Sequence, residues 1–348
     1  MRGSLLSLVG CSLLAGWMPL SGRAADSTLA TESGLTRLLE GELSHWPVTS
    51  SGIFVKHLGT GEQAAVRENM AFESASTIKV PIMVLAFQLA DQGKLNLDSR
   101  YEIKAADMRG GSGIFQYQDV GLKPTLRDAI TQMIITSDNT ATDIVIAQVG
   151  GIDKVNSFLK GQGYRTLHLN EPTLGFFRNS ARQVDEKFGA LSAEQVFALF
   201  TERSSFRQPY QDLIAQYEAA LKRNPNVVME PWEDPAQWFG AASPREMAGL
   251  LEGIEKCTVA RQTSCDEMKR ILRAQQYKHK IPRYLSVPVG NKTGETDAVS
   301  DDVAIIYAHS GPIVMTSYNM GVKGPKAELA DKMARTARMV VDYFDGKR

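Results

Sequence analysis

The spacing of apolar residues along the chain changes twice, and the changes divide it. Near the start, "SGLTRLLEGELSHW" (33–46) repeats its apolar positions at helical spacing with charges on the other face. "GIFVKHL" and "EQAAVRE" follow, joined by the glycine-flanked "GTG" at 59–61, and predict a β-hairpin. From Lys79 the period becomes helical for a long way. "KVPIMVLAFQLADQGK" (79–94) accommodates Pro81 because a proline near a helix start removes no needed donor. "TLRDAITQMIITS" (125–137) comes next, then "ATDIVIAQVGGIDKVNSFLKGQG" (141–163) with a break at its glycines. "SAEQVFALFTER" (192–203), "YQDLIAQYEAALKR" (210–223) and "SPREMAGLLEGIEK" (243–256) continue the pattern. Three strand-like runs close this part, "SVPVGNKTG", "DDVAIIYAHSG" and "PIVMTSYNM", before an amphipathic helix over 326–344.

Two strands early, three late and helices between them predict an α+β fold. Sequential strands commonly pair, so one antiparallel sheet of about five strands, covered by the terminal helices, is expected. This sheet lobe spans roughly 30–70 and 283–348, and an all-helical lobe spans roughly 71–282. A cleft between lobes is a usual place for a site.

The N-terminus predicts export. Arg2 precedes the apolar run "LLSLVGCSLLAGWMPL", and "SGRAAD" offers small residues for cleavage after Ala24 or Ala25, so residues 1–25 read as a signal peptide and 26–348 as one domain. The run is too short and interrupted for a stable membrane span. Cys11 sits in a lipoprotein-like "LVGC", but too early for a complete apolar segment to precede it. The mature protein is expected to be periplasmic and monomeric. Cys257 and Cys265 would then meet an oxidising compartment, where a disulfide is expected, with two free thiols as the alternative.

Composition excludes more than it identifies. A formal charge of zero argues against electrostatic nucleic-acid binding. The five histidines are scattered without metal-ligand spacing, and no glycine-rich phosphate loop precedes a helix, so neither metal nor nucleotide cofactor is expected.

The candidate chemistry lies in three short motifs. Ser76 and Lys79 stand three apart in "STIK", on one helix face, where an amine would reach a hydroxyl that is a poor nucleophile until deprotonated. The pattern recurs at Ser157 and Lys160 with no further chemical signal around it. Ser137, Asp138 and Asn139 form "SDN" at a helix end, which capping alone would explain. Lys292, Thr293 and Gly294 form "KTG" on a strand.

Together and in this order, the three motifs resemble those of the class A β-lactamase family and its penicillin-interacting relatives. "GSGIFQY", "NEPTLG", "SPREMAGLLEGI" and "DDVAIIY" extend the resemblance over most of the mature chain. It implies a β-lactamase/transpeptidase-like fold and a small-molecule β-lactam substrate opened through an acyl-Ser76 intermediate. Lys79 would take the proton of Ser76, aided if nearby Lys292 lowers its pKa, and Ser137 would relay a proton to the ring nitrogen. Asn139 would bind the substrate's side-chain amide, and Lys292 and Thr293 its carboxylate. The N–H groups of Ser76 and Glu295 would form the oxyanion hole beside Gly294. Glu171 would activate the water that hydrolyses the acyl-enzyme, the step that penicillin-binding relatives lack.

Several positions depart from the family pattern. Leu169 replaces an arginine that braces the loop of Glu171, so a looser loop is expected. Gly175 replaces an asparagine that helps hold the water. Glu295 puts an acid beside an anion site. No late arginine supports carboxylate binding, with Lys323 or Lys326 as substitutes. An insertion over 176–242 carries Trp232, Trp238 and Phe239, which would wall the cleft or simply pack on the helical lobe. These departures keep open an exported peptidase, amidase or esterase acting on cell-wall peptides or small esters, and a non-enzymatic penicillin- or cell-wall-binding module.

Overall fold

The computed structural model describes residues 34–346. The leader expected at 1–25, with Cys11, lies outside them. The early hairpin and the late strands join one sheet although the helical stretch separates them in sequence. β1 (Ser50–His57) pairs with β2 (Gln63–Val66) on one side and with β8 (Gly311–Met320) on the other. Beyond β8 lie β7 (Ser300–Ala308) and β6 (Val289–Glu295), giving the antiparallel order β2-β1-β8-β7-β6. Alternation along β7 explains why the sheet is covered on both faces. Ala304 and Ile306 join Leu35, Leu39, Met333 and Val340 of the terminal helices α1 (Gly34–Leu43) and α12 (Lys326–Asp345). Val303 and Ile305 belong to the core shared with the helical lobe.

That lobe is built round α2 (Lys79–Asp91), whose residues are buried from Lys79 through Phe87. A helix apolar on every side is a central one. Around it lie α3 (Leu126–Ile135), α4 (Asn139–Gln148), α5 (Gly151–Gly161) and α11 (Gln262–Arg273), while α10 (Pro244–Glu255) packs on β1, β7 and β8 of the sheet. Gly150 and Gly151, at φ of 106° and 83°, take the left-handed turn that parts α4 from α5. A disulfide between Cys257 and Cys265, with Cα atoms 5.5 Å apart, closes the turn between α10 and α11. No helix among the described residues is long and apolar enough to cross a membrane.

The insertion begins in α6 (Thr173–Val184) and continues through α7 (Ala193–Phe200), α8 (Ser204–Arg207) and α9 (Gln211–Arg223). It has a small core of its own, where Ala181, Phe188, Val196, Tyr217 and Ala220 meet and the ring of Phe188 stands edge-on to Tyr217. A second small sheet, in the order β3-β5-β4, ties three distant segments: β3 (Phe72–Glu73) before the first motif, β4 (His168–Leu169) before Glu171, and β5 (Gly240–Ala242) at the insertion's end.

Candidate active site

Ser76 lies in a 3-10 turn, Ala75–Ile78, that leads from β3 into α2. Residues three apart eclipse each other in such a turn, so Lys79 stands on the side of Ser76, at the first position of α2. Ser76 is half-buried and lines a cavity of about 520 Å³ with Ser137, Asn139, Phe176, Phe239 and Thr293. Two residues at this floor hold left-handed backbone without being glycine: Ala75 at φ 41° and Ser137 at φ 57°. Each such conformation costs on the order of 1–3 kcal/mol, and surrounding contacts must hold it.

Lys79 is fully buried, and a buried ammonium needs acceptors. Its Nζ donates to Ser137 O at 2.7 Å, to Ser137 Oγ at 3.2 Å and to Asn139 Oδ1 at 2.8 Å. Among the described residues no hydrogen bond joins it to Ser76 Oγ, the contact expected from spacing. In unliganded sites catalytic hydrogen bonds are often long and tighten in the complex. Asp138 fixes this end of α4 by accepting from the N–H groups of Ala141 and Phe115, at 2.8 and 2.7 Å. From the facing sheet, fully buried Lys292 on β6 donates to the same Ser137 Oγ at 3.0 Å. One hydroxyl therefore lies between two lysines.

Burial brings the Lys79 amine down to about 7, although the carboxylates of Asp138 and Asp143 oppose the shift. Lys292 is pushed well down by burial and then by the charge of Lys79. The expectation that Lys292 depresses Lys79 thus gives way to desolvation as the leading cause.

At the end of β6, Gly294 is held to its residue type by proximity. A Cβ there would stand 2.8 Å from the carbonyl of Ser74, so only glycine lets the strand approach the turn of Ser76. Glu295, expected to oppose an anionic substrate, is instead paired. The fully buried Lys280 lies 2.5 Å from its carboxylate, Lys326 lies 3.5 Å away, and Ser300 Oγ donates at 3.1 Å. Lys326 lines the cavity and Lys323 does not. Ser157 and Lys160 are exposed on α5, a solvated helix face outside the cavity.

The loop of Glu171 is firmly held, contrary to the expectation drawn from Leu169. Leu169 is buried in β4, and its backbone N–H and C=O both bond the side chain of Asn156, at 2.9 Å each. Asn170 donates to the carbonyls of Pro235 and Trp238. Asp143 of α4, paired with Arg109 at 2.7 Å, accepts from the N–H groups of Thr173 and Leu174 at 2.6 and 3.0 Å. A carboxylate from another helix thus caps α6 directly after Glu171. The reason for Gly175 is steric. A Cβ there would lie 2.3 Å from Glu171 Oε2, so an asparagine would displace the carboxylate. Glu171 is half-buried, makes no hydrogen bond among the described residues and is not part of the cavity lining.

The aromatic wall of the insertion is also redistributed. Trp238 is buried in the main core and donates Nε1–H to Trp232 O at 2.8 Å, and Trp232 packs on Gly321. Neither lines the cavity; Phe176, Phe177 and Phe239 do. Phe239 meets Phe176 edge-on at 5.7 Å, and Phe177 stacks on Phe200 at 4.9 Å, so the wall continues into the insertion's core. Sequence reasoning missed Glu73, Asp143, Lys280 and Glu230, the last of which lines the cavity and accepts from Asp297 N at 2.6 Å. Glu73 alone left a signal, an acid between Phe72 and a run of small residues entering an apolar helix. Among the described residues no group of His, Cys, Asp and Glu could hold a metal ion.

Comparison with known proteins fits this geometry. The β-lactamase PSE-4 of Pseudomonas aeruginosa is 35% identical over 136 residues, 37% of this chain and 47% of the relative. A β-lactamase of Rhodobacter capsulatus is 28% identical over 198 residues, 56% of this chain and 66% of the relative. The chain thus spans about half to two thirds of the length of these curated relatives. Among solved structures, a β-lactamase from Sphaerobacter thermophilus matches with TM-score 0.67 and 23% identity, over 90% of this chain and 97% of that one. PBP-A matches with TM-score 0.68 and 20% identity, over 90% and 97%. At such identities the likeness shows the fold. A model of the β-lactamase enzyme family matches residues 35–344, nearly all that the structure describes, and the chain belongs to that family.

Proposed function

We propose that the protein is a class A-type serine β-lactamase, acting through an acyl-Ser76 intermediate. The observation that carries this reading is the convergence of Lys79 and Lys292 on one Ser137 hydroxyl at the floor of the cleft that Ser76 lines. Lys79, brought by burial to about 7, is a base that is substantially neutral at physiological pH. It takes the proton of Ser76 as Oγ attacks the lactam carbonyl carbon. As the C–N bond breaks, the proton passes through the Ser137 hydroxyl to the leaving nitrogen, and Lys79 is neutral again. Thr293 and Lys326 line the end of the cleft suited to the substrate carboxylate, with Glu295 kept from opposing it by Lys280. Water activated by Glu171 then cleaves the acyl ester and releases Ser76.

The test is turnover of a chromogenic cephalosporin by purified protein, with Ser76→Ala as control and peptide mapping of the adduct. Mapping to another serine, or to none, would sink the assignment. A second reading, an exported peptidase, amidase or esterase on this scaffold, draws on one observation. Among the described residues Glu171 has no hydrogen-bond partner and lies off the cavity lining, so acylation is better provided for than deacylation. Turnover of an ester or peptide with no turnover of any β-lactam would establish it.

A further inference from the structure

Glu73 is fully buried three residues before Ser76, and its carboxyl is spent on backbone rather than on side chains. Oε1 accepts from Ala75 N at 2.8 Å and from Gly240 N at 3.4 Å, and Oε2 accepts from Phe239 N at 2.9 Å. The first bond reaches the residue with the left-handed backbone that presents Ser76, at φ 41°. The other two reach the last segment of the insertion, where Phe239 lines the cavity and Gly240 begins β5. Gly240 is itself fixed by crowding, since a Cβ there would lie 2.7 Å from His168 O and 2.9 Å from Ser74 Oγ. A single side chain therefore links nucleophile turn, cleft wall and small sheet.

We propose that Glu73 is a positioning residue that clamps the Ser76 turn to the insertion, holding the strained backbone of Ala75 in the conformation that acylation requires. Left without this acceptor, Ala75 relaxes toward ordinary backbone and carries Ser76, with its N–H, off line. Misplacement of a reacting atom by about 1 Å costs on the order of a hundredfold in rate. Burial supports the role. It raises the Glu73 carboxyl to about 8, while the three N–H bonds oppose that shift, so the same bonds that fix the backbone also offset the cost of burying the carboxyl.

The inference rests on acylation of Ser76, and the experiment separates the two. Single-turnover acylation by a chromogenic cephalosporin is followed in wild type, Glu73→Ala, Glu73→Gln and Glu73→Ala/Ala75→Gly, with the adduct mapped by mass spectrometry. Glu73→Ala is expected to slow the acylation step about 30–100-fold with the binding constant for unreacted substrate changed less than about threefold. Glu73→Gln keeps one carbonyl oxygen for Ala75 N and should recover much of the loss. Ala75→Gly, which takes positive φ without strain, should recover several-fold in the Glu73→Ala background. Wild-type acylation rates in both Glu73 variants, or a loss confined to substrate binding, would overturn the proposal. If Glu73→Ala does not fold, Glu73→Gln decides by the same rates. No Ser76 adduct in wild type would instead overturn the functional reading beneath it.

Discussion

Two buried charged clusters flank Ser76, and they differ in what they hold. At the cleft floor, Lys79 of α2 and Lys292 of β6 direct their amines at the hydroxyl and carbonyl of Ser137, and Lys292 also donates to Thr293 O at 2.7 Å. On the sheet side, Glu73 and Asp301 direct their carboxyls at main-chain N–H groups, Asp301 accepting from Asn319 N at 2.8 Å. Burial drives every one of these groups toward its neutral form: Lys79 and Lys292 down, Glu73 and Asp301 up. A cluster built on a hydroxyl can pass a proton along. A cluster built on amide donors can only fix the backbone. The same desolvation thus serves proton movement on one side of the nucleophile and geometry on the other.

The largest effect should come from breaking the first cluster. Lys79→Ala is expected to slow acylation about 10³–10⁴-fold while the protein stays folded, because a base at hydrogen-bond reach typically supplies 10²–10⁴ and Ser137 also loses a donor. A loss under tenfold in stopped-flow acylation would move the base elsewhere. Glu171→Gln should come next, lowering deacylation about 10²–10³-fold while a burst of about one equivalent persists. Wild type should itself show a burst and then slower turnover, since among the described residues no hydrogen-bond partner aims the carboxylate. Absence of a burst in wild type, with full turnover in the Gln variant, would assign water activation to another group.

Next in size is the pH response of acylation. With the Lys79 amine near 7 and active when neutral, the rate should fall about tenfold per unit below pH 7 and level off above it. A profile flat down to pH 5 would remove Lys79 as the base. Phe176→Ala should be milder, raising KM up to about tenfold for bulky substrates and little for small ones, since lost pocket contact is substrate-specific. Trp238→Ala, whose ring is in the core, should lower Tm without that discrimination.

The smallest expected effect sharpens the contrast itself. Glu73 has its folded pKa, about 8, above its ordinary value of 4.5, so the stability it contributes is present below pH 4.5 and lost as pH rises through 8. Lys79 runs the other way. Its folded value, about 7, lies below its ordinary 10.5, so stability rises with pH between the two. Glu73→Gln should therefore flatten the decline of Tm between pH 5 and 8 by a few degrees. An unchanged slope against wild type would mean that Glu73 is ionised throughout.

The sequence alone determined the five strands of the main sheet, most of the longer helices and the three motifs, because periodicity and spacing are properties of a short stretch; β3, β4, β5 and α6 left no such pattern. The five strands follow from short strand-like runs bounded by turn residues, α2 from its apolar run, and the Ser76–Lys79, Ser137–Asn139 and Lys292–Gly294 motifs each from a few consecutive residues. What failed was whatever needed a partner from elsewhere. Helix α6 carries no capping side chain at Pro172, and its cap is Asp143 of another helix. Glu295 looked like an uncompensated acid until the fold brought Lys280 beneath it. Trp238 and Phe239 are adjacent and equally apolar in sequence, yet one points into the core and the other lines the cleft. Only the tertiary structure decides such matters, since desolvation, long-range hydrogen bonds and the facing of a side chain arise when separate elements meet and exclude water.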